Sequence, residues 1–222
     1  MDEIAPDIWH WTERHPEWHP RGDFGAQVGS YALRVGADTL LVDPLFDAGG
    51  EPPAGLDAVV AAGQALLIAI TIGYHVRSTE RAWRRWRDAH AVTILAHEAV
   101  ARRLPAGAPL QAITAQDALP HGLAAQAIGN PRRNEMPIYV PQHRALLIGD
   151  AIVVTPEGEL RVWVQHELTD KRRRWYRERL APSLAGLAAL DVERVLVTHG
   201  PPVLSDGSAA LAAAIAAEPW NG

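Results

Sequence analysis

The chain has ten histidines, 26 acidic residues and no cysteine. Any metal must therefore be held by imidazole or carboxylate, and disulfides and thiolate nucleophiles are excluded. Three short segments carry the groups most suited to chemistry. Residues 66–78 (LLIAITIGYHVRS) form an apolar, strand-like run that breaks into a loop bearing Thr71, Tyr74, His75 and Arg77. Residues 147–152 (LIGDAI) contain Gly149-Asp150, and residues 196–201 (LVTHGP) contain His199-Gly200.

Other candidates each have a structural reading beside the functional one. Residues 8–19 (IWHWTERHPEWH) concentrate Trp9, Trp11 and Trp18 with His10, His15 and His19. These groups either line the mouth of a cleft or, as tryptophan more often does, cover the core from an amphipathic edge strand. His97 sits at a helix start, either behind a site or as a terminal hydrogen-bonder. His90 falls on a tryptophan-bearing helix face, His121-Gly122 reads as a tight turn, and His143 and His166 lie in polar surroundings. Residues 171–179 (KRRRWYRER) interleave Trp175 and Tyr176 with arginines, a pattern that suits phosphates and stacked bases. The arginines are spread round a helix and interrupted by Glu178, as on a solvated face, or as on a helix that borders a cleft and steers an anionic substrate.

The elements that position these residues follow from the apolar pattern. Residues 27–44 are two apolar runs about the turn Gly36-Ala37-Asp38, a hairpin signal. A strand is expected over 66–71, a helix over 79–90 capped by Ser78, a strand over 92–95, and an alanine-rich helix ending before Pro105. Later come short strands near 123–128, 138–140 and 145–148, a helix over about 171–190, a strand over 194–198 and a helix over 208–217. Strands mixed with helices in two similar halves suggest two sheets packed face to face with helices outside.

At 24.1 kDa the chain is long enough to bury a sizeable core and fits one domain, 1–222, more easily than two. A net charge of −5 gives no global attraction to nucleic acid or anionic membrane. The expected partner is a small-molecule substrate or anionic ligand, with nucleic acid disfavoured and oligomeric state open. No run approaches the roughly 18 apolar residues of a membrane span, and the acidic N-terminus is unlike a secretory signal, so a cytoplasmic location is expected. Lys171 is the only lysine, and arginine in its place points to a GC-rich bacterial genome.

In the order of its elements, and in VGSYAL, LLVDPL, Gly149-Asp150 and His199-Gly200, the chain resembles the metallo-β-lactamase superfamily. That resemblance implies an α/β, four-layer αβ/βα sandwich and metal-assisted hydrolysis. Its metal motif, T-H-x-H-x-D-H, is degenerate here: aligned on Thr71, Ile72, Tyr74, Val76 and Arg77 stand at the ligand positions. A one-residue shift of register brings His75 onto the second histidine. The middle loop, Gly129 to Glu135, has Asn130 in place of its histidine. The resemblance thus leaves His75, Asp150 and His199 as ligands of one divalent ion (zinc, manganese or iron), and no second ion is expected. Arg77 and Tyr74 are placed to stabilise developing negative charge. The implied activity is hydrolysis of an ester, thioester, lactam or phosphoester. The alternative is a metal-free binding or regulatory protein in which Arg77 pairs with Asp150 and replaces the cation.

Overall fold

Aliphatic runs whose successive residues point to two different buried faces build both sheets of the molecule. The computed structural model describes residues 1–19, 24–130, 132–165 and 167–221; His166 and Pro131 of the middle loop lie outside them. Strands β1 (Asp2–Ala5), β2 (Ile8–Arg14), β3 (Gln27–Val35) and β4 (Asp38–Val42) pair antiparallel in sequence order, and β5 (Ala65–Ile70), β6 (Ala91–Ala96) and β7 (Leu110–Ala112) continue from β4 in parallel as one seven-stranded sheet. Next come β8 (Ala124–Ala125), β9 (Ile138–Val140) and β10 (Ala145–Ile148), the separate hairpin β11 (Ile152–Val154) and β12 (Leu160–Val162), and β13 (Arg194–Val197). Of these, β13, β10, β9 and β8 form a four-stranded sheet in that order, with β13 and β10 parallel.

Three apolar clusters fill the spaces between four layers. Leu67 and Ala69 of β5 meet Ala145 and Leu147 of β10 and Leu196 of β13 between the sheets. Their sequence neighbours Leu66, Ile68 and Ile70 point the other way, toward α1 (Leu56–Ala61) and α2 (Thr79–Trp86). On the opposite side Leu146, Ile148, Val195 and Val197 pack against residues 176–187 and against α5 (Gly207–Ala216). The chain is therefore an αβ/βα sandwich, and the period-two alternation of short aliphatic strands is what builds it. Among the described residues no helix is long and apolar enough to cross a membrane.

Several elements differ from their sequence reading. The helix expected over 171–190 is α3 (Asp170–Trp175), a π-helical turn (Tyr176–Leu180) and α4 (Ala181–Ala188). Pro182 supplies the reason, because it has no N–H to give the carbonyl four residues back. Ser78 stands at the N-cap of α2 as expected, but its Oγ makes no capping hydrogen bond and accepts instead from the Phe46 N–H at 2.9 Å. Helix α2 ends at Trp86, and the segment after His97 is a 3-10 helix, Glu98–Arg103. The N-terminal strand β2 is not an edge, since β1 lies outside it.

Candidate metal centre

Parallel pairing sets the site. Ile148 of β10 is paired with Val197 of β13, so Asp150 and His199, each two residues further on, emerge side by side. Val42 of β4 is paired with Ala69 of β5, which brings Asp43 level with Thr71 and the loop that carries His75. Gly149 makes this closeness possible: a Cβ there would lie 2.7 Å from Thr71 Oγ1 and 3.2 Å from Glu135 Oε1. The two sheets are tied at this edge by a hydrogen bond of 2.7 Å from the Gly29 N–H to the Thr198 carbonyl.

His75 is 3% exposed and lies between two carboxylates, with Nδ1 2.8 Å from Asp43 Oδ2 and Nε2 3.1 Å from Asp150 Oδ1. His199 Nε2 reaches the same Asp150 oxygen at 3.2 Å. The ligand atoms of His75, Asp150 and His199 all lie within 4.8 Å of one another. Asp43, itself 2% exposed, accepts from the Thr71 N–H at 2.8 Å and from the Thr71 hydroxyl. Asp43 already accepts twice from Thr71, and the His75 nitrogen that faces it, Nδ1, is assigned the proton on that hydrogen-bond pattern. Phe24 stacks on His199 with ring centroids 3.8 Å apart, and His199 Nδ1 is buried with no hydrogen-bond partner.

Charge in this cluster is unevenly shared. Burial works to lower the pKa of His75 and Arg77 acts the same way, yet Asp43 and Asp150 outweigh both and the value stands above the ordinary 6.5. Burial likewise opposes the charge of Asp150, but His75 and His199 hold its carboxyl well below the usual range. His199 is pushed down by burial, against the pull of Asp150. Of the two imidazoles, His75 therefore holds a proton more tightly than His199 does.

The donor set suits one divalent ion. Atoms bound at 2.0–2.2 Å in a tetrahedral arrangement are separated by about 3.4 Å, near the 3.1 and 3.2 Å found between Asp150 Oδ1 and the two imidazole nitrogens. An acid behind a ligating histidine is the usual device for fixing its tautomer and ring, and Asp43 stands in that position. Nε2 of His75 would then have to give up its proton to hold such an ion.

The structure brings together His75, Asp150 and His199. Arg77 lies beside them, but its Nη1 donates to the carbonyls of Gly29 (3.2 Å) and Asp43 (3.1 Å) rather than to Asp150. The arginine at Asp150 is Arg132, with Nη1 3.6 Å from Oδ2 and also 3.6 Å from Glu135 Oε2. Tyr74 is 70% exposed with the Arg103 guanidinium 4.5 Å above its ring. Two cavities open here and share Tyr74 and Asp150: one of about 190 Å³ lined also by His15, Trp18, Phe24 and Arg77, and one of about 800 Å³ on the side of Arg132. The N-terminal aromatic segment divides accordingly. Trp11 is core, its Nε1 donating to the Leu45 carbonyl at 2.8 Å, while His15 and Trp18 line the smaller cavity. His97 is the hydrogen-bonder at its helix start, accepting from the Ala99 N–H. Asp43, Arg132 and Glu135 drew no role from the sequence, although Asp43 stands in LLVDPL and the other two in the middle loop.

No protein-family model matches the chain, and no curated protein matches its sequence. Solved structures match it over nearly all its length. The metal-soaked Flv1 flavodiiron core from Synechocystis sp. PCC6803 superposes with a TM-score of 0.63 at 18% identity, over 96% of this chain and 58% of that one. The flavodiiron protein from Giardia intestinalis gives 0.65 at 13% identity, over 96% and 57%. A metallo-β-lactamase from Erythrobacter litoralis, with β-mercaptoethanol in its active site, gives 0.62 at 17% identity, over 96% and 94%. The chain thus spans under three-fifths of the two flavodiiron chains, 58% and 57%, and almost all of the lactamase. These likenesses establish its fold as that of the metallo-β-lactamases.

Proposed function

We propose that this metallo-β-lactamase-fold chain is a hydrolase with a mononuclear site, in which His75, Asp150 and His199 hold one divalent ion and an ester, thioester or phosphoester is cleaved beside it. The observation that carries the reading is the convergence of two imidazole Nε2 atoms on one carboxylate oxygen, with Asp43 buried behind His75. Two nitrogens and one oxygen suit zinc, manganese or iron(II) and leave positions open for water and substrate. When bound, such an ion acts as a Lewis acid and lowers the pKa of water toward neutrality.

The remaining work falls to the chain. Asp43 keeps the proton of His75 on Nδ1, so that the Nε2 lone pair faces the cleft. Phe24 covers His199 and holds its ring against rotation. Arg132 lies over the ring of Trp163 at 4.3 Å and beside Asp150, where its guanidinium meets negative charge growing on a substrate oxygen. Tyr74 borders the same space and Arg77 the adjoining smaller cavity, with one nitrogen already committed to carbonyls. Hydrolysis then adds the elements of water across the bond, giving a carboxylic acid and an alcohol or thiol, or from a phosphoester a phosphate and an alcohol.

A metal-free binding protein is a second reading, with one observation in its favour. His75 lies within hydrogen-bond distance of both Asp43 and Asp150, where a protonated imidazole would balance the buried carboxylates without an ion and leave the cleft for a small anion. Turnover separates the two. Chelator-stripped protein is reloaded with zinc, manganese or iron(II) and assayed on ester, thioester and phosphoester panels. Activity restored by an ion and lowered by about 10²-fold or more in Asp150→Ala is the expected result for a hydrolase. Inert protein under every ion supports the binding reading.

A further inference from the structure

The larger cavity has features that the proposed hydrolysis does not itself require. Its volume of about 800 Å³ falls in the range of small-molecule sites, roughly 300–1,000 Å³. Four arginines line it, Arg102, Arg103, Arg132 and Arg172, against the acids Glu135 and Asp150. Both acids are already engaged: Asp150 by His75 and His199, Glu135 by the Ala151 N–H at 3.0 Å. Among the described residues Arg102, Arg103 and Arg172 have no carboxylate within 4.0 Å; the Arg103 guanidinium lies over the Tyr74 ring and Arg172 Nη1 donates to the Glu167 carbonyl at 2.7 Å. In a chain of net charge −5, guanidinium groups without a carboxylate partner round one cavity make a local attraction for anions.

The wall of the cavity is aromatic. Trp163 already lies under Arg132, and Trp175 keeps 37% of its surface exposed. The π-helical turn at Tyr176–Leu180 shapes this wall. In a regular α-helix Leu180 would lie about 140° round the axis from Trp175. The wider turn brings both, with Arg172, onto the cavity, and such turns recur at functional sites.

We propose that this cavity binds an organic phosphate, its phosphate among Arg102, Arg103 and Arg172 and a flat ring against Trp175. Several guanidinium groups at one rim call for more negative charge than one carboxylate carries, and their planar forks match phosphate oxygens in pairs. An exposed indole offers a face for a planar ring. The inference rests on the hydrolase reading only for its corollary, that the scissile bond of such a ligand points toward Asp150.

Isothermal titration of the full, chelator-treated chain with ADP and with adenosine tests binding with no ion involved, so a failure here is separable from a failure of the metal site. ADP should bind at least about tenfold tighter than adenosine. Its Kd should rise by about tenfold or more in Arg102→Ala/Arg103→Ala/Arg172→Ala and by about threefold or more in Trp175→Ala. These side chains are exposed, so circular dichroism should show both variants folded. Absent ADP binding, equal affinity for adenosine, or an unchanged Kd in either folded variant would overturn the proposal.

Discussion

Asp43 accepts from Thr71 twice and from His75 once, and that crowding of donors fixes which nitrogen of His75 faces the cleft. Asp43→Asn should weaken zinc binding by about 10–100-fold in competition with a chromophoric chelator while the protein stays folded. The raised pKa of His75 has a definite sign. The folded chain keeps a proton that the unfolded chain releases near 6.5, so without metal the stability is full below that pH and declines as pH rises through the folded value. Urea midpoints of chelated protein should therefore fall as pH rises above about 6.5, and His75→Asn should flatten the curve. Zinc affinity should climb over the same interval, because the ion replaces that proton. Glu135 shifts as part of the same cluster: burial, opposed by Arg132 and reinforced by Asp150, pushes its carboxyl up to about 7 from 4.5. The folded state then binds the extra proton between those values, and stability drops as pH rises through them. Glu135→Gln keeps an acceptor for the Ala151 N–H and should stabilise the protein at pH 8 by about 1–3 kcal/mol. In the sequence, His75, Asp150 and His199 stand out as imidazole or carboxylate groups at the ends of apolar runs. Asp43 does not, because an acid between a strand and a proline reads as a turn, and its partner is 32 residues away.

Elements place these groups through register. Asp150 and His199 meet because β10 and β13 run parallel in step, and that pairing joins segments far apart in the chain. The hairpin of β3 and β4 was legible from local turn chemistry; the pairing of β10 with β13 has no local signal. Gly149→Ala tests the register at its tightest point. The new Cβ would press on Thr71 Oγ1 at 2.7 Å, and the side chain opposite is held by Asp43. A loss of about 1–3 kcal/mol in urea unfolding is expected. The π turn at Tyr176–Leu180 was hidden for another reason. A 3.6-residue pattern over 171–190 fits a plain helix, and only Pro182 marks where the turn must widen.

Across the whole molecule, alternating aliphatic strands give two faces per sheet and hence four layers, which is why the architecture could be read from pattern and resemblance together. The β11–β12 hairpin escaped that reading, since Ile152–Val154 follows directly on the Asp150 loop and looks like its continuation. Leu147 lies in the shared inter-sheet core and is fully buried, so Leu147→Ala should cost about 2–5 kcal/mol. The sandwich brings every candidate ligand to one edge and sets a cationic cavity beside it. The central claim is that this edge holds one ion on His75, Asp150 and His199. Elemental mass spectrometry of stripped protein, reloaded with zinc, manganese or iron(II) and freed of excess, measures that most directly. The account predicts about one equivalent of ion in the native chain and almost none in folded Asp150→Ala or His199→Ala variants. A folded native chain that retains no ion, or variants that retain a full equivalent, would contradict it.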